Sequence, residues 1–342
     1  MKLDRGAALD GPVDVRPDAA DAEAAGFDGY WLTEVKHDPF VGLALAATAT
    51  ERVELGTSIA VAFARNPMTT AAAANDLQAL SGGRLALGLG TQVRAHITRR
   101  FAMPWSHPAP RMREYVLALQ AIWESWATGA PLDFRGEFYE HTLMTPMFTP
   151  QAHGFGPPPV LLAGVGETMT EVAGEVADGF LTHGFTTERY LREVTLPALE
   201  RGRGKAGRGP ERFTVKGSPM VATGRSAEQL EKATAGVRGQ IAFYGSTPAY
   251  RPVLELHGWG ELGDRLHALS REGRWAEMGP LVDDDVLHAF AVVGPPEEAG
   301  AEVVRRYGDV LDRLTLYTAY NADPSVMAEV VTSVRAVTGV VA

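Results

Sequence analysis

The segment 53–92 constrains the fold more than any other part of this sequence. It begins with an apolar run rich in β-branched residues, as expected for a strand that is buried on both faces. Asn66 and Pro67 then start a helix, because asparagine caps a helix and proline at its first position loses no hydrogen bond. Glycines at 82–83 end that helix, and leucines alternate along the next run, 85–89. A strand–helix–strand unit of this length is the repeat of a parallel α/β fold.

Short motifs in and around this segment resemble the bacterial luciferase-like superfamily. They are G-T-S at 56–58, R-N-P at 65–67, S-G-G-R at 81–84 and G-L-G-T at 88–91. That superfamily comprises flavin-dependent monooxygenases and oxidoreductases that use the deazaflavin coenzyme F420. The resemblance extends over 26–314 and implies an α/β fold, a (β/α)8 TIM barrel with insertions at the carboxyl-terminal face. The run V-A-F-A-R-N-P at 61–67 is most similar to the F420-dependent branch.

The length of the chain fits one barrel with additions. A TIM barrel typically takes about 250 residues, and this chain has 342 residues, of which 45% are hydrophobic. We therefore expect a single luciferase-like domain over 1–342. Its surplus should form insertions at about 91–110, 129–158 and 246–288.

Composition narrows the class of function. The formal net charge of −10 argues against a nucleic-acid surface, which needs clustered Lys and Arg. The absence of cysteine excludes disulfides, thiolate nucleophiles and Cys-ligated metals. No apolar signal core opens the chain, and no run reaches the roughly 18 apolar residues of a membrane helix. We expect a cytoplasmic enzyme with no membrane partner.

Motifs of other enzyme classes do not occur in the sequence. The nine histidines show no metal-ligand spacing, and no G-x-S-x-G elbow or P-loop is present. The sequence therefore predicts no metal site. We expect the protein to position a redox cofactor that carries the difficult step.

The loop after the second strand carries the first candidate catalytic residues. Loops that follow the strands form the active-site face of a TIM barrel. The resemblance implies that Glu34 faces the cofactor and takes part in catalysis. The family usually has a histidine at the next position, which is Val35 here. His37 replaces that histidine if the loop curls back; alternatively, His37 and Asp38 merely cap the next helix.

The ends of the third and fourth barrel strands are the next candidates. In the related enzymes a bulge with a non-proline cis peptide bond supports the cofactor ring, and the resemblance places it at Ser58-Ile59. The alternative is an ordinary strand end. The resemblance implies that the loop from Gly90 to 110 lies along the cofactor, with the His96 side chain at the ring or its tail and with a role in catalysis. The cofactor-binding residues expected on these two segments are Ser58, Ile59, Gly90, Thr91, Gln92 and His96.

A glycine-rich turn after the fifth barrel strand predicts an anion site. Small residues at a strand-to-helix turn expose backbone N–H groups, and the helix N-terminus adds a partial positive charge. The family binds the cofactor phosphate there, although a plain tight turn remains the alternative. The residues of this turn are Ala163, Gly164, Val165 and Gly166. His183 follows the sixth strand, and it either points into the pocket or is a structural histidine.

Three further segments interrupt the repeat. The first, 129–159, should fold as a hairpin at the barrel mouth, with Met144, Met147 and Phe148 as an apolar wall. The second, 200–211, is rich in glycine and basic residues and is expected to be a solvated loop. The third, 246–285, is expected to be a lid or a subunit contact, because superfamily members are commonly homodimers.

Three functions are compatible with these observations. The first is an F420-dependent oxidoreductase that transfers hydride between the deazaflavin and a small organic substrate. The second is an FMN-dependent monooxygenase on the same fold. The third is a non-catalytic binding subunit, which the absence of histidine at Val35 keeps open.

Overall fold

The computed structural model, which describes residues 1–8, 11, 13–209 and 213–339, contains a closed barrel of eight parallel strands. In chain order the strands are β1 Lys2–Ala8, β2 Gly29–Thr33, β3 Glu54–Thr57, β4 Ala60–Val61, β5 Leu85–Gly90, β6 Phe134–Arg135, β7 Glu140–His141, β8 Val160–Gly164, β9 Gly179–Thr182, β10 Thr214–Gly217, β11 Met220–Thr223, β12 Ala291–Gly294 and β13 Arg313–Leu314. Neighbours around the barrel follow the order β3, β2, β1, β13, β10, β9, β8, β5, and β5 pairs with β3 to close the ring. The predicted TIM barrel is confirmed. The sequence predicts this first strand over 2–9; β1 covers Lys2–Ala8, and Leu9 lies outside the described residues.

Helices connect the strands and cover the barrel. In chain order they are α1 Arg16–Ala24, α2 Pro39–Ala49, α3 Pro67–Leu80, α4 Arg94–Arg99, α5 Pro108–Thr128, α6 Glu167–Val176, α7 Glu188–Tyr190, α8 Leu196–Lys205, α9 Ala227–Gly245, α10 Arg251–Leu256, α11 Gly260–Arg271, α12 Asp284–Phe290, α13 Pro296–Tyr307 and α14 Pro324–Thr338. A π-helical turn, Leu191–Thr195, joins α7 to α8. No helix in the described part of the chain is long and apolar enough to cross a membrane.

The barrel interior has a polar layer below an apolar one. Side chains alternate between the two faces of a strand, so every second residue points towards the barrel axis. The apolar layer packs Trp31, Ala86, Leu161 and Leu181 together. Gly56 lies against the Trp31 indole, where a Cβ would collide with the ring. Below it, charged side chains from four strands meet: Asp4, Glu54, Lys216 and Arg313.

A second hydrophobic core lies beside the barrel at its carboxyl-terminal end. β11 continues from β10 after Pro219 and pairs in parallel with β12. Helices α9 to α12 pack here through Ile241, Leu254, Leu266 and Phe290, all fully or almost fully buried. The insertion expected at 246–285 is therefore mostly helical.

The structure tests two expectations about the connecting segments. The segment 200–211 is not a loop throughout, because α8 continues to Lys205. The hairpin in 129–159 is present as β6 and β7, and it packs on α5, where Glu114 accepts the N–H of Phe138 at 2.7 Å. Met144 accepts a hydrogen bond from Trp126 in the last turns of α5. The apolar wall expected at the barrel mouth stays a prediction.

Candidate active site

Half-exposed side chains mark the carboxyl-terminal ends of the barrel strands. Most residues in the middle of the strands are buried, and half-exposed positions recur at the carboxyl-terminal ends, which form the active-site face of this fold. We call this set the barrel mouth: Thr33, Ser58, Ala163, His183, Ser218, Thr315 and Tyr317. The apolar layer around Trp31 closes the barrel beneath it.

The third strand ends in the feature expected from the sequence. The peptide bond between Ser58 and Ile59 is cis, and the chain then resumes as β4. The Thr33 hydroxyl donates to the Ser58 carbonyl at 2.8 Å. A Cβ at Gly90 would lie 3.0 Å from the Ile59 side chain, so the ends of β3 and β5 are close. Ile59 and Ala163 both pack on the cluster around Trp31. The structure thus brings these predicted cofactor-binding positions to one side of the mouth.

Glu34 lies beside this bulge and is held by an ion pair. Its Oε2 accepts hydrogen bonds from the Val61 N–H at 2.8 Å and from the Arg65 guanidinium at 2.7 Å. Arg65 also donates to Asp38 at 2.7 Å. Burial alone would lower the pKa of Arg65, but its bonds to these two carboxylates raise that pKa above the ordinary value. Asp38 also caps α2 through the Phe40 N–H.

The two histidines proposed to handle protons lie on peripheral loops. The His37 Nε2 is 3.0 Å from the Gly11 carbonyl, so this side chain faces the loop that follows β1. His96 lies on α4 and is exposed. Arg100, in the same loop as His96, donates to the Val35 carbonyl at 2.8 Å and connects the loops after β2 and β5. Thr91 and Gln92 are half-exposed at the start of the latter loop.

The turn from β8 to α6 has the form of an anion site. Gly166 occupies the N-cap position of α6, without a side chain to cap the first turn. A Cβ at Gly166 would meet no atom within 4 Å, so space is open above these backbone N–H groups. Gly164 and Val165 border a small cleft that reaches His183 and Tyr190. The first turn of α6 can therefore receive a negatively charged group.

His183 is enclosed by aromatic rings. Its ring centroid is 4.7 Å from that of Tyr244 and 4.6 Å from that of Tyr250. Nδ1 accepts the Phe185 N–H at 3.0 Å, so the proton of the neutral ring is on Nε2. Burial lowers the pKa of His183 to about 4. At neutral pH this side chain is therefore an uncharged hydrogen-bond donor.

Sequence reasoning missed several side chains near the mouth. The Tyr244 and Tyr317 hydroxyls lie 3.3 Å apart, and Tyr250 contributes the second ring around His183. Lys216 and Thr315 lie on β10 and directly after β13, on the same side of the mouth as Tyr317. A charged residue inside an otherwise apolar strand was the signal for Lys216. The tyrosines come from separate segments and left no common pattern.

The closed parallel barrel, with polar and small residues gathered at its carboxyl-terminal mouth, defines a TIM-barrel enzyme. The model of the luciferase-like monooxygenase family matches residues 7–313. The chain belongs to this family, and it is an oxidoreductase enzyme.

Similar proteins agree with this placement. An uncharacterized protein of Mycobacterium tuberculosis is 56% identical over 300 residues, which cover 86% of this chain and 88% of the relative. A 5,10-methylenetetrahydromethanopterin reductase of Methanolobus tindarius is 28% identical over 287 residues, covering 82% of this chain and 83% of the reductase.

Two solved structures show the same fold. The coenzyme F420-dependent tetrahydromethanopterin reductase of Methanopyrus kandleri superposes with a TM-score of 0.78 at 21% identity, covering 97% of each chain. An FMN complex of the oxygenating constituent of 3,6-diketocamphane monooxygenase from Pseudomonas putida gives a TM-score of 0.66 at 15% identity, again over 97% of each chain.

Proposed function

We propose that this enzyme uses coenzyme F420 to transfer hydride to or from a small organic substrate. The observation that carries the proposal is that the Ser58-Ile59 bulge and the first turn of α6, which has no side-chain cap, lie on the same side of the mouth. A ring on the bulge could extend its phosphate tail to α6. The chain is similar to a methylenetetrahydromethanopterin reductase of Methanolobus tindarius. The solved structure of the Methanopyrus kandleri reductase is named as coenzyme F420-dependent, and this name supports F420 as the cofactor.

The residues of the mouth fit such a cofactor. Ser58, Ile59 and Gly90 are uncharged residues on which a ring could rest, and Ala163 to Gly166 are half-exposed residues that could face its phosphate. Glu167, the acidic residue in the first turn of α6, is paired with Arg201 at 2.7 Å and so repels an incoming phosphate less. Thr91, Gln92 and His96 would border the ring or its tail. When bound, the deazaflavin supplies two-electron hydride chemistry.

FMN is the competing cofactor. The fold is shared with a monooxygenase whose structure contains FMN, and a phosphate-tailed flavin would use the same α6 turn. An FMN-dependent monooxygenase is therefore the second candidate function.

Anaerobic titration of the purified protein with each cofactor tests the proposal. We expect saturable binding of F420, measured by the quenching of its fluorescence. Binding of FMN should be much weaker. Tight FMN binding without F420 binding would reverse the assignment. Binding of neither cofactor at high micromolar concentration would favour a non-catalytic subunit. Light scattering on the same samples tests the proposed homodimer.

A further inference from the structure

The wall of the barrel opposite the bulge carries its own set of polar groups. In the eight-membered ring of strands, three strands separate β3 from β10 on either side, so β10 lies diametrically across from the bulge. A ring that rests on Ser58-Ile59 leaves the substrate to face β10 and its neighbours. The side chains on that wall are His183, Ser218, Thr315 and Tyr317.

Lys216 lies just beneath this wall and is bound to it. The side chain is 2% exposed, and its ammonium donates to Thr315 Oγ1 at 2.6 Å. Because that oxygen accepts a hydrogen bond from the lysine, the Thr315 O–H is free to donate a hydrogen bond to another acceptor. In the described part of the chain it donates to no acceptor, and the residue is half-exposed at the mouth. The pair thus directs one polarised O–H towards the substrate side.

The charges around Lys216 leave its ammonium incompletely compensated. The nearest carboxylate, Asp4, is 3.9 Å away, and both of its oxygens accept hydrogen bonds from Arg313. The Trp31 ring covers the ammonium at 4.9 Å. Burial lowers the pKa of Lys216 to about 8. The negative charge of Asp4 raises that pKa, and the positive charge of Arg313 lowers it further. The other charged groups bound to or close to Arg313 and its partners are Lys2, Asp28 and Glu54.

Val35, which follows Glu34 after β2, has no titratable group and cannot supply a proton. His37 and His96 lie on peripheral loops, and Glu34 is engaged by Arg65. Lys216 with Thr315 combines a titratable group, a relay hydroxyl and access to the mouth.

We propose that Thr315 and Lys216 form a proton relay that serves a carbonyl or alcohol oxygen of the substrate. The inference rests on the proposed function, which supplies the hydride. In the reducing direction, hydride adds to the carbonyl carbon while the carbonyl oxygen takes the Thr315 proton. Thr315 recovers a proton from the Lys216 ammonium, which becomes a neutral amine. Water entering the mouth then returns a proton through Thr315. In the oxidising direction each transfer is reversed, and the Lys216 amine is the base.

The neighbouring groups indicate the shape of this substrate. His183 offers a second uncharged donor, and the rings of Tyr244 and Tyr250 surround it with aromatic surface. Apart from Lys216, the wall groups named here are uncharged at neutral pH. A neutral ketone or aldehyde, or the matching alcohol, with an apolar or aromatic substituent fits this surface better than a polyanion.

The test uses the full chain with reduced F420 and three ketone probes, acetone, cyclohexanone and acetophenone. The wild type is expected to reduce at least one of them. Lys216→Met and Thr315→Val should lower that rate by about 100-fold, within the range of general acid catalysis. Both should retain the F420 affinity of the wild type. Thr315→Ser should recover most of the rate, since it keeps the hydroxyl. Lys232→Met on α9 and Thr332→Val on α14 are exposed matched controls.

A readout that does not depend on turnover completes the test. Lys216 is one of five lysines in the sequence. In protein labelled with ¹³C at lysine Cε, one resonance should titrate near pH 8, disappear in Lys216→Met and shift in Thr315→Val. The alkaline limb of the wild-type rate profile should follow the same pKa. Normal rates in both variants, or no reduction of any ketone despite F420 binding, would overturn the inference. Loss of F420 binding by the wild type would instead overturn the proposed function.

Discussion

The Glu34–Arg65 pair allows a structural role of Glu34 to be distinguished from a catalytic one. The Glu34 side chain is 6% exposed and shares its Oε2 between Arg65 and the Val61 N–H. Glu34→Gln keeps an acceptor for Val61 but removes the charge that balances the buried guanidinium. We expect it to lower the free energy of unfolding by about 1–3 kcal/mol.

A double-mutant cycle with Arg65→Met measures this contribution by urea unfolding. The coupling free energy between the two sites should be about 1–2 kcal/mol. Additive effects would show that the ion pair contributes nothing. Loss of turnover in Glu34→Gln at unchanged stability would support the catalytic role expected from the sequence.

His183 should make the stability of the protein depend on pH in one window. Its folded pKa, about 4, lies below the ordinary value of 6.5, so the unfolded chain binds more protons between these values. The stabilisation is therefore complete above pH 6.5 and is lost as the pH falls towards 4. The loss attributable to this residue is about 3 kcal/mol.

Urea midpoints measured at intervals from pH 7 to pH 4 check this prediction. His183→Phe should be less stable at pH 7, because the Phe185 N–H loses its acceptor, but should show a shallower fall on acidification. His288→Phe on α12 is the exposed control. Equal acid dependence of His183→Phe and the wild type would contradict the assignment.

At the scale of elements, the N-terminus of α6 allows a sharp test of phosphate binding. Gly166 has extended φ and ψ and open space at its Cβ, so other residues fit there. Gly166→Asp adds a good N-cap but also a negative charge at the proposed phosphate site. We expect its melting temperature to hold or rise, while F420 affinity falls about tenfold, or about 1.4 kcal/mol.

The isosteric control for this change is Gly166→Asn, which caps the helix without adding charge. F420 titrations of the two variants, made side by side, isolate the electrostatic effect. Equal affinities would place the phosphate away from α6.

Two elements show which parts of the fold could be predicted from the sequence and which could not. The unit 53–92 was predictable because its signals are local: Asn66 caps α3 through the Met68 N–H at 2.9 Å, as its sequence position indicated. The last turns of α8, over 200–205, were predicted as a loop because glycines and basic residues in this run are typical of one. In the structure Gly202 lies against the Glu171 carbonyl of α6, where a Cβ would collide. Glycine there permits close helix packing, which only the tertiary structure shows.

At the scale of the whole molecule, the polar layer inside the barrel joins strands that are remote in sequence. Arg313, on the last barrel strand, donates to both oxygens of Asp4 on the first strand at 2.6 and 2.9 Å and to Glu54 on the third at 2.6 Å. The sequence could not predict this layer, because a single charged residue within a strand does not indicate which distant residue it pairs with. The bulge and the α6 turn were expected because their motifs are contiguous.

Arg313 should therefore control cooperative closure of the barrel. Arg313→Met leaves Asp4 buried beside Lys216 alone, and breaking such a buried pair costs about 3–5 kcal/mol. Urea unfolding followed both by circular dichroism and by tryptophan fluorescence measures this loss. The two transitions should shift together, because Trp31 stacks on Arg313 at 5.4 Å and lies at the barrel centre. Arg305→Met, which breaks an exposed pair with Glu302, should change stability by less than about 1 kcal/mol. If the fluorescence transition shifts while the circular dichroism transition stays, the polar layer stabilises only its surroundings. In that case β1 and β13 close the barrel by backbone pairing and apolar packing alone.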